Sequence, residues 1–215
     1  MRKHTLTLLM AGVAAVCAVA PAQESRPVFE KALAGPLAGV NELVFATRAL
    51  YDDPHWYANI GYYCDDENKK AYTGNGNPDA GILFKLDIRT GEAAALFDAQ
   101  GGSVRDPQVH YDGGKILFSL RKADPDYYHL YEIGTDGSGL RPITDGPFDD
   151  IEAVYLPDGG ILFVSTRCKR WVNCWMTQVA TMFRCDADGG NIRPVSGNTE
   201  RSEERRVGKE CRSRW

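Results

Sequence analysis

The 215-residue sequence predicts an all-β protein, a β-propeller of four-stranded blades of which this chain carries about three. Three observations predict this fold: segments that repeat along the chain, short β-rich runs separated by Gly, Asp and Pro, and few helix signals after the N-terminal segment. Residues 109–121 match residues 153–167, and residues 42–48 match the second half of both. Repeats of about forty to fifty residues are typical of propellers.

The first 22 residues have the pattern of an export signal. Arg2 and Lys3 supply a basic start, residues 6–20 are apolar, and small residues follow at a suitable cleavage position. The apolar run is too short for a stable membrane anchor. We therefore expect a cleaved signal and an exported mature chain, in the periplasm or at the cell surface, with no membrane span after cleavage.

Residues 42–200 are expected to form a partial propeller, preceded by a linker over residues 23–41 that carries a weak helix signal at 27–35. In the third repeat, the segment 157–160 (PDGG) predicts a tight turn, because Pro fixes φ and Gly accepts positive φ. The repeats are expected at about 42–97, 108–143 and 152–196, and the strands of the third repeat at 152–156, 161–166, 181–186 and 192–196.

The last fifteen residues, 201–215, have no strand pattern and carry six basic and three acidic residues. They resemble the in-frame translation of a sequencing-adapter oligonucleotide, so we expect a tail that is not native to the protein. Removing this tail and the two basic residues of the N-terminal segment from the 25 basic and 29 acidic residues leaves 17 and 26, a formal net charge of −9. A protein that binds the phosphate backbone needs the opposite balance, so nucleic acid is not an expected partner.

Residues 139–167 resemble the repeat of TolB-like, WD40-like propellers. Over about residues 40–198 the chain is more similar to one family, the middle domain of the hydrazine synthase alpha subunit and its relatives. The matching segments are PHWYANIGYY, RDPQVHYDGGKILFSLRK, YHLYEIGTDGSGL, DGPFDDIEAVYLPDGGILFVSTRC and WVNCWMTQVATMFRCDADGGNIRP. Closed propellers need at least four blades and hold up to about eight, whereas this chain holds about three before the adapter-like tail. We therefore expect an N-terminal fragment of a ring of six to eight blades.

The leading functional expectation is a binding or scaffolding module of a larger periplasmic or cell-surface protein, with a protein or small-molecule ligand at the loop face of the propeller. The resemblance implies an alternative, the propeller part of a c-type-haem oxidoreductase subunit. The chain has no CxxCH motif, so such a haem would have to be attached elsewhere in the protein. The propeller of a prolyl-oligopeptidase-like peptidase is a third reading. Whether the whole protein is an enzyme stays open.

Successive strands of a blade run in opposite directions. Two kinds of loop therefore lie on the same face of a propeller: the loops between second and third strands, and the loops that lead to the next blade. The insertions at 49–81 and 168–178 are of the first kind, and residues 103–108 and 146–152 are expected to be of the second. Functional residues favour loops on a rigid scaffold. The candidate residues on this face are His55, Trp56, Tyr57, Arg105, Asp106, Asp149, Asp150 and Glu152.

The carboxylates of this set have two interpretations. They precede the innermost strands, so we expect them to face the channel mouth. There they could bind a cation or act as acids and bases, or they could cap turns and link blades by hydrogen bonds; the second is favoured. Arg48, Arg121 and Arg167 end the second strands in the repeat alignment. They are either a basic ring or the partners of nearby Asp residues in inter-blade salt bridges.

The cysteines divide into two groups. Cys185 is the counterpart of Leu86 and Ile133 in the other repeats, so we expect it in the core. Export favours a disulfide between Cys168 and Cys174. A zinc site formed by Cys64, Cys168, Cys174 and His55 has acceptable ligand types, although the spacing is looser than in common zinc motifs, and the disulfide is favoured.

Overall fold

The computed structural model describes residues 26–48, 80–123, 127–170 and 179–197. The chain divides into a unit that ends at Val40 and a unit that starts at Asn41. The first unit contains helix α1, Arg26–Ala34, where the sequence carries its weak helix signal. No helix in these described segments is long and apolar enough to cross a lipid bilayer.

The strands of the described residues belong to three antiparallel sheets, all in the second unit. Blade 1 contains β1 (Glu42–Ala46), β2 (Ile82–Asp87) and β3 (Ala93–Asp98). Blade 2 contains β4 (Ser103–Val109), β5 (Lys115–Arg121), β6 (His129–Gly134) and β7 (Arg141–Pro142). Blade 3 contains β8 (Asp150–Tyr155), β9 (Ile161–Ser165), β10 (Thr181–Cys185) and β11 (Arg193–Pro194).

Each blade is a simple meander, because strands that follow one another in the sequence are hydrogen-bonded neighbours. Blades 2 and 3 have four strands, with β4 and β8 as their first, inner strands. Blade 1 has three strands among the described residues, which correspond to the second, third and fourth strands of the other two. The prediction of an all-β propeller with four-stranded blades, about three of them in this chain, is confirmed.

The same register recurs in every blade and pairs an aromatic residue on the second strand with one on the third. These pairs are Phe45 with Phe84, Phe118 with Tyr131, and Phe163 with Phe183. Their ring centroids are 5.2, 6.3 and 6.2 Å apart. The recurring pair establishes which positions of the three blades are structurally equivalent.

Each blade has a front face, which is turned to the preceding blade, and a rear face, which is turned to the following blade. Successive residues of a strand point to opposite faces. Ile116 and Phe118 therefore lie on the front face of blade 2 and pack toward blade 1, whereas Leu117 lies on its rear face. Leu117 packs against Ile161 and Phe163 on the front face of blade 3. All five side chains are at most 1% exposed, and burying each contributes about 1.5–3 kcal/mol.

The inner strands begin earlier than the sequence predicts. Strand β4 includes residues 103–108, and β8 begins at Asp150. Residues 103–108 and 150–152 are therefore strand rather than the inter-blade loops expected from the sequence. The reason is that each inner strand contains a bulge, which interrupts the alternation of polar and apolar residues by which a strand is recognised.

Cys185 lies on strand β10 in the core between blades 2 and 3 and is fully buried, which confirms the prediction that it packs as a core residue. Its burial raises the pKa of the thiol to about 11. The thiol therefore stays protonated at neutral pH, and the reactive thiolate is suppressed.

The turn between β10 and β11 approaches blade 2 closely at Gly189, which has a φ of +87°. A Cβ at this position would overlap the carbonyl oxygen of Ile143.

We expect Gly189→Ala to lower the free energy of unfolding by about 2–4 kcal/mol in urea titrations, because backbone strain and steric overlap add. Gly159→Ala is the matched control: its φ is +86°, but a Cβ there meets nothing within 4 Å. It should lose about 1–2 kcal/mol, and equal losses would contradict this explanation.

Candidate functional site

The residues proposed from the sequence fall into two groups. His55, Trp56 and Tyr57 lie outside the described residues, as do Cys64 and Cys174. Cys168 lies in a turn after β9, and the five others lie where blades 2 and 3 meet, on the inner strands or directly before them. Those five are Arg105, Asp106, Asp149, Asp150 and Glu152.

Asp106 and Glu152 occupy the same place in their blades, at the bulge of the inner strand. Both have left-handed backbones, with φ of 55° and 54°. Such a conformation costs free energy in a residue other than glycine and persists where the surroundings enforce it. Their side chains are 25% and 39% exposed, so both carboxylates reach solvent.

Arg105 joins these two acidic residues. Its side chain is 3% exposed, its Nε donates to Asp106 Oδ2 at 2.6 Å, and its Nη2 lies 3.6 Å from Glu152 Oε1 in the neighbouring blade. The backbone N–H of Glu152 also donates to Asp106 Oδ2, at 3.3 Å. Burial lowers the pKa of Arg105, but the charge and hydrogen bond of Asp106 together with Tyr128 and Glu152 raise it above its usual range, so the guanidinium stays charged. An ion pair thus crosses between the inner strands.

Asp150 is fully enclosed, contrary to the expectation that it faces the channel mouth. Its side chain is 0% exposed, and Oδ1 accepts hydrogen bonds from Ser165 Oγ at 2.6 Å and Arg167 Nε at 3.2 Å. Oδ2 accepts from Arg167 Nη2 at 2.8 Å. His129 Nδ1 lies 4.0 Å from Oδ2. Burial with these partners gives Asp150 a structural role, because a buried carboxylate needs such compensation.

Asp149 is also buried, at 2% exposure, and was likewise expected to face the channel mouth. Its Oδ1 accepts a hydrogen bond from the backbone N–H of Tyr128 in blade 2 at 2.9 Å. Its own N–H donates to Thr166 Oγ1 at 2.9 Å, while Oδ2 has no hydrogen-bond partner among the described residues. Burial raises the pKa of Asp149 to about 7, although the N–H of Tyr128 and the charge of Arg121 act against the shift.

The three arginines that end the second strands do not form a ring of exposed cations. Arg121 is fully buried, Arg48 is exposed, and Arg167 is partly buried against Phe148, with its guanidinium carbon 4.7 Å from the ring centroid. The ion pair of Arg167 with Asp150 lies within blade 3. Arg105 makes an ion pair between blades, with Glu152, and the charge of Arg121 in blade 2 acts to lower the pKa of Asp149 in blade 3.

Cys168 ends a short 3-10 turn, Thr166–Cys168, and is a free thiol in this structure. Its Sγ donates to the carbonyl oxygen of Val179 at 3.1 Å. Its predicted disulfide partner, Cys174, lies outside the described residues, so the disulfide stays a prediction. Among the residues that the structure does describe, no group of three or more His, Cys, Asp and Glu side chains could hold a metal ion.

Tyr128 belongs to this site and was missed in the sequence. It is 2% exposed, its hydroxyl donates to Ser103 Oγ at 2.7 Å, and its ring lies under the guanidinium of Arg105 at 5.7 Å. The tyrosine precedes strand β6, outside any alternating pattern. No feature of the sequence distinguishes it from its neighbour Tyr127.

Comparisons with known proteins return no match to a protein-family model and none to a curated protein sequence. Similar solved structures include a TolB-type protein from Agrobacterium tumefaciens, with 22% identity, TM-score 0.44, and coverage of 54% of this chain and 40% of that chain. A puromycin hydrolase gives 19% identity, TM-score 0.44, and coverage of 60% and 20%. An oligogalacturonate lyase in complex with manganese gives 16% identity, TM-score 0.45, and coverage of 73% and 38%.

The matched region thus spans two fifths or less of each of these three proteins. Likeness at this level concerns the arrangement of strands alone. The fold of this chain is established by its own three meanders and their common register.

Asp149 makes stability depend on pH. Its pKa is raised in the folded state, so the folded protein binds a proton that the unfolded chain has released, and stability falls as pH rises from about 4 to about 7. Asp149→Asn keeps an acceptor for Tyr128 N–H and removes the charge. We expect its melting temperature to exceed that of the parent by roughly 5 °C or more at pH 8 but not at pH 4.

The control is Asp98→Asn, because Asp98 is an exposed carboxylate. Its melting temperature should follow that of the parent across the same range. A difference between Asp149→Asn and the parent that is constant from pH 4 to pH 8 would count against a titrating Asp149.

Proposed function

We propose that this chain is the N-terminal part of an exported β-propeller that serves as a binding module of a larger periplasmic or cell-surface protein. The ligand, a protein segment or a small molecule, binds on the loop face and the inner strands between blades 2 and 3. The observation that supports this proposal is the strained acidic pair, Asp106 and Glu152, held at equivalent bulges around the buried Arg105.

Asp106 and Glu152 suit ligand recognition, because both residues hold an unfavourable backbone conformation and both carboxylates remain partly exposed. Two equivalent strained residues have no evident benefit for the sheet, since each bulge interrupts the register of the ladder. Strained residues cluster where proteins bind ligands. Two carboxylates beside one guanidinium leave one net negative charge, which favours a ligand that offers N–H donors or a positive group.

Photo-crosslinking tests this function. A photoreactive amino acid at position 147, in the exposed loop that precedes β8, leaves Arg105, Asp106 and Glu152 in place and should form covalent adducts in cells, detected by mass spectrometry of the purified chain. The same amino acid at position 158, in the exposed turn between β8 and β9 at the other end of the blade, should form none. Adducts at neither position, or equally at both, would reject a ligand site at the inner strands.

Export has its own test. Expressed in a Gram-negative host, the chain should be recovered from the periplasm without its first 22 residues. Leu8→Asp combined with Leu9→Asp interrupts the apolar run, so we expect the uncleaved chain to stay in the cytoplasm. Substitution of two polar residues after the run, Gln23→Asp and Ser25→Asp, leaves the apolar run intact and should leave export intact. Periplasmic recovery of the Leu8/Leu9 variant would refute the signal.

A second candidate is the propeller part of a c-type-haem oxidoreductase subunit, which the resemblance to the hydrazine synthase alpha middle domain favours. The residues of this chain do not fit covalent haem attachment, because it has no CxxCH motif. CxxCH motifs in the gene downstream of residue 200 would support this candidate, and their absence there would reject it.

A further inference from the structure

A cavity of about 600 Å³ lies between blades 1 and 2, on the side of their outer strands. In blade 1 it is lined by the end of β3 and the residues that follow, and in blade 2 by residues on or beside β5, β6 and β7. Its apolar walls are formed by Phe97, Leu120, Tyr131, Leu140 and Pro142. Sites for small molecules typically have volumes of ~300–1,000 Å³ and mostly apolar walls. The cavity has the size and lining of such a site.

Further blades of the same polypeptide would not fill this cavity. Its described lining residues all belong to blades 1 and 2, which already pack against each other around Leu83 and Phe118. A blade before blade 1 would cover the front face of blade 1, and a blade after blade 3 would cover the rear face of blade 3. Neither Asp106 nor Glu152 lines the cavity, so the inference does not rest on the proposed function.

At the junction of blades 2 and 3, protein side chains occupy the place that corresponds to the cavity. Lys122, which lines the cavity, is equivalent to Arg167, because each follows the aromatic residue of its second strand by four positions. Arg167 Nη2 donates to the carbonyl oxygen of Asp145 at 3.0 Å, and its guanidinium carbon lies 4.7 Å from the ring centroid of Phe148. An aromatic ring and a cation thus pack together at this junction.

The junction of blades 1 and 2 lacks the corresponding ring. Phe148 precedes the bulge residue Glu152 by four positions, and Gly102 precedes the bulge residue Asp106 by four. Gly102 is therefore the equivalent of Phe148. A Cβ on Gly102 would overlap the carbonyl oxygen of Arg121, so no larger side chain fits there. The space that an aromatic side chain fills at one junction stays open at the other.

The polar groups of the cavity include a free positive charge. Lys122 is exposed and forms no ion pair within the part of the chain that the structure describes. Tyr131 is partly exposed and carries a hydroxyl where the equivalent residues of blades 1 and 3 are phenylalanines. Asp98 also lines the cavity, and its Oδ1 accepts the N–H of Gln100 at 2.7 Å. The ammonium of Lys122 is thus available to a ligand beside the apolar walls.

We propose that this cavity binds a small aromatic carboxylate. The aromatic ring of the ligand packs against the apolar walls, in the place that Phe148 fills at the next junction, and its carboxylate faces the ammonium of Lys122. A ring beside a cation repeats the arrangement of Phe148 and Arg167. The charge of the carboxylate complements that of Lys122. Asp98, at the edge, accepts a hydrogen bond from a hydroxyl or amino group on the ring.

Calorimetric titration of the full chain tests the site with two probes of similar shape, 2-naphthoate and the neutral 2-naphthalenemethanol. We expect saturable binding of naphthoate at one site per chain, about fivefold tighter than binding of the alcohol, because an exposed ion pair adds modestly to affinity. Lys122→Gln should remove this difference by weakening naphthoate alone. Lys169→Gln is the matched control, since it removes an exposed cation at the loop end of blade 3, and it should leave both affinities unchanged.

Leu140→Trp tests where the ring binds. Leu140 lines the cavity and is 41% exposed, so the larger side chain can fill the cavity without disturbing the core. This variant should keep the melting temperature of the parent and weaken both probes by about tenfold or more.

Three results would overturn the proposal. The first is a parent chain that shows no saturable binding of naphthoate at millimolar concentrations. The second is binding that Leu140→Trp leaves unchanged, because the ligand would then lie outside the cavity. The third is a loss of naphthoate affinity that is equal in Lys122→Gln and Lys169→Gln, or equal for both probes in Lys122→Gln, because Lys122 would then not face the carboxylate.

Discussion

The structure depends on one kind of contact, the packing of an aliphatic rear face against a front face built on an aromatic pair. Leu117, Leu130 and Ile143 make this contact with Phe163 and Phe183, and blades 1 and 2 meet through an equivalent core around Phe118. The contact fixes the separation of neighbouring inner strands. That separation is what brings the guanidinium of Arg105 near Glu152 in the next blade.

The same contact explains why charged groups are tolerated at the loop end of the blade 2–3 junction. Once the apolar faces meet, Asp149 is enclosed beside the backbone of blade 2, and its carboxylate accepts the N–H of Tyr128 across the junction. Asp150 is enclosed with Arg167, which supplies two hydrogen bonds. Hydrogen bonds offset the free-energy cost of burying the Asp149 carboxylate only in part, whereas they offset the cost for Asp150 well. The apolar packing supplies the free energy for both.

The sequence predicted the parts of the fold that follow local rules. The Asp-Gly-Gly turns and the alternating runs located the second and third strands, and repeat alignment placed Cys185 in the core, at the position that Ile133 occupies in blade 2. The start of the inner strands was not predicted, because the bulges at Asp106 and Glu152 interrupt alternation. A bulge depends on the register between two strands, and a single strand's sequence does not contain that register.

Five of the residues proposed from the sequence lie at one junction, but the sequence did not predict which of their side chains are exposed. All five described candidates do meet between blades 2 and 3, yet Arg105, Asp149 and Asp150 are buried, and only Asp106 and Glu152 of these five reach solvent. Two adjacent aspartates look alike in sequence. What separates their environments is the three-dimensional placement of partners such as Thr166 and Arg167, which belong to the 3-10 turn that follows β9.

The meander connectivity has a consequence for the growing polypeptide. Every strand of a blade pairs with its neighbour in the sequence, so a blade forms from one continuous stretch of the chain and needs nothing that is synthesised later. Its rear face, in contrast, stays bare until the next blade is complete. At each stage of synthesis the nascent chain therefore exposes one aliphatic rear face, that of the blade completed last. A chaperone that binds this rear face would have a new binding surface about every fifty residues of synthesis.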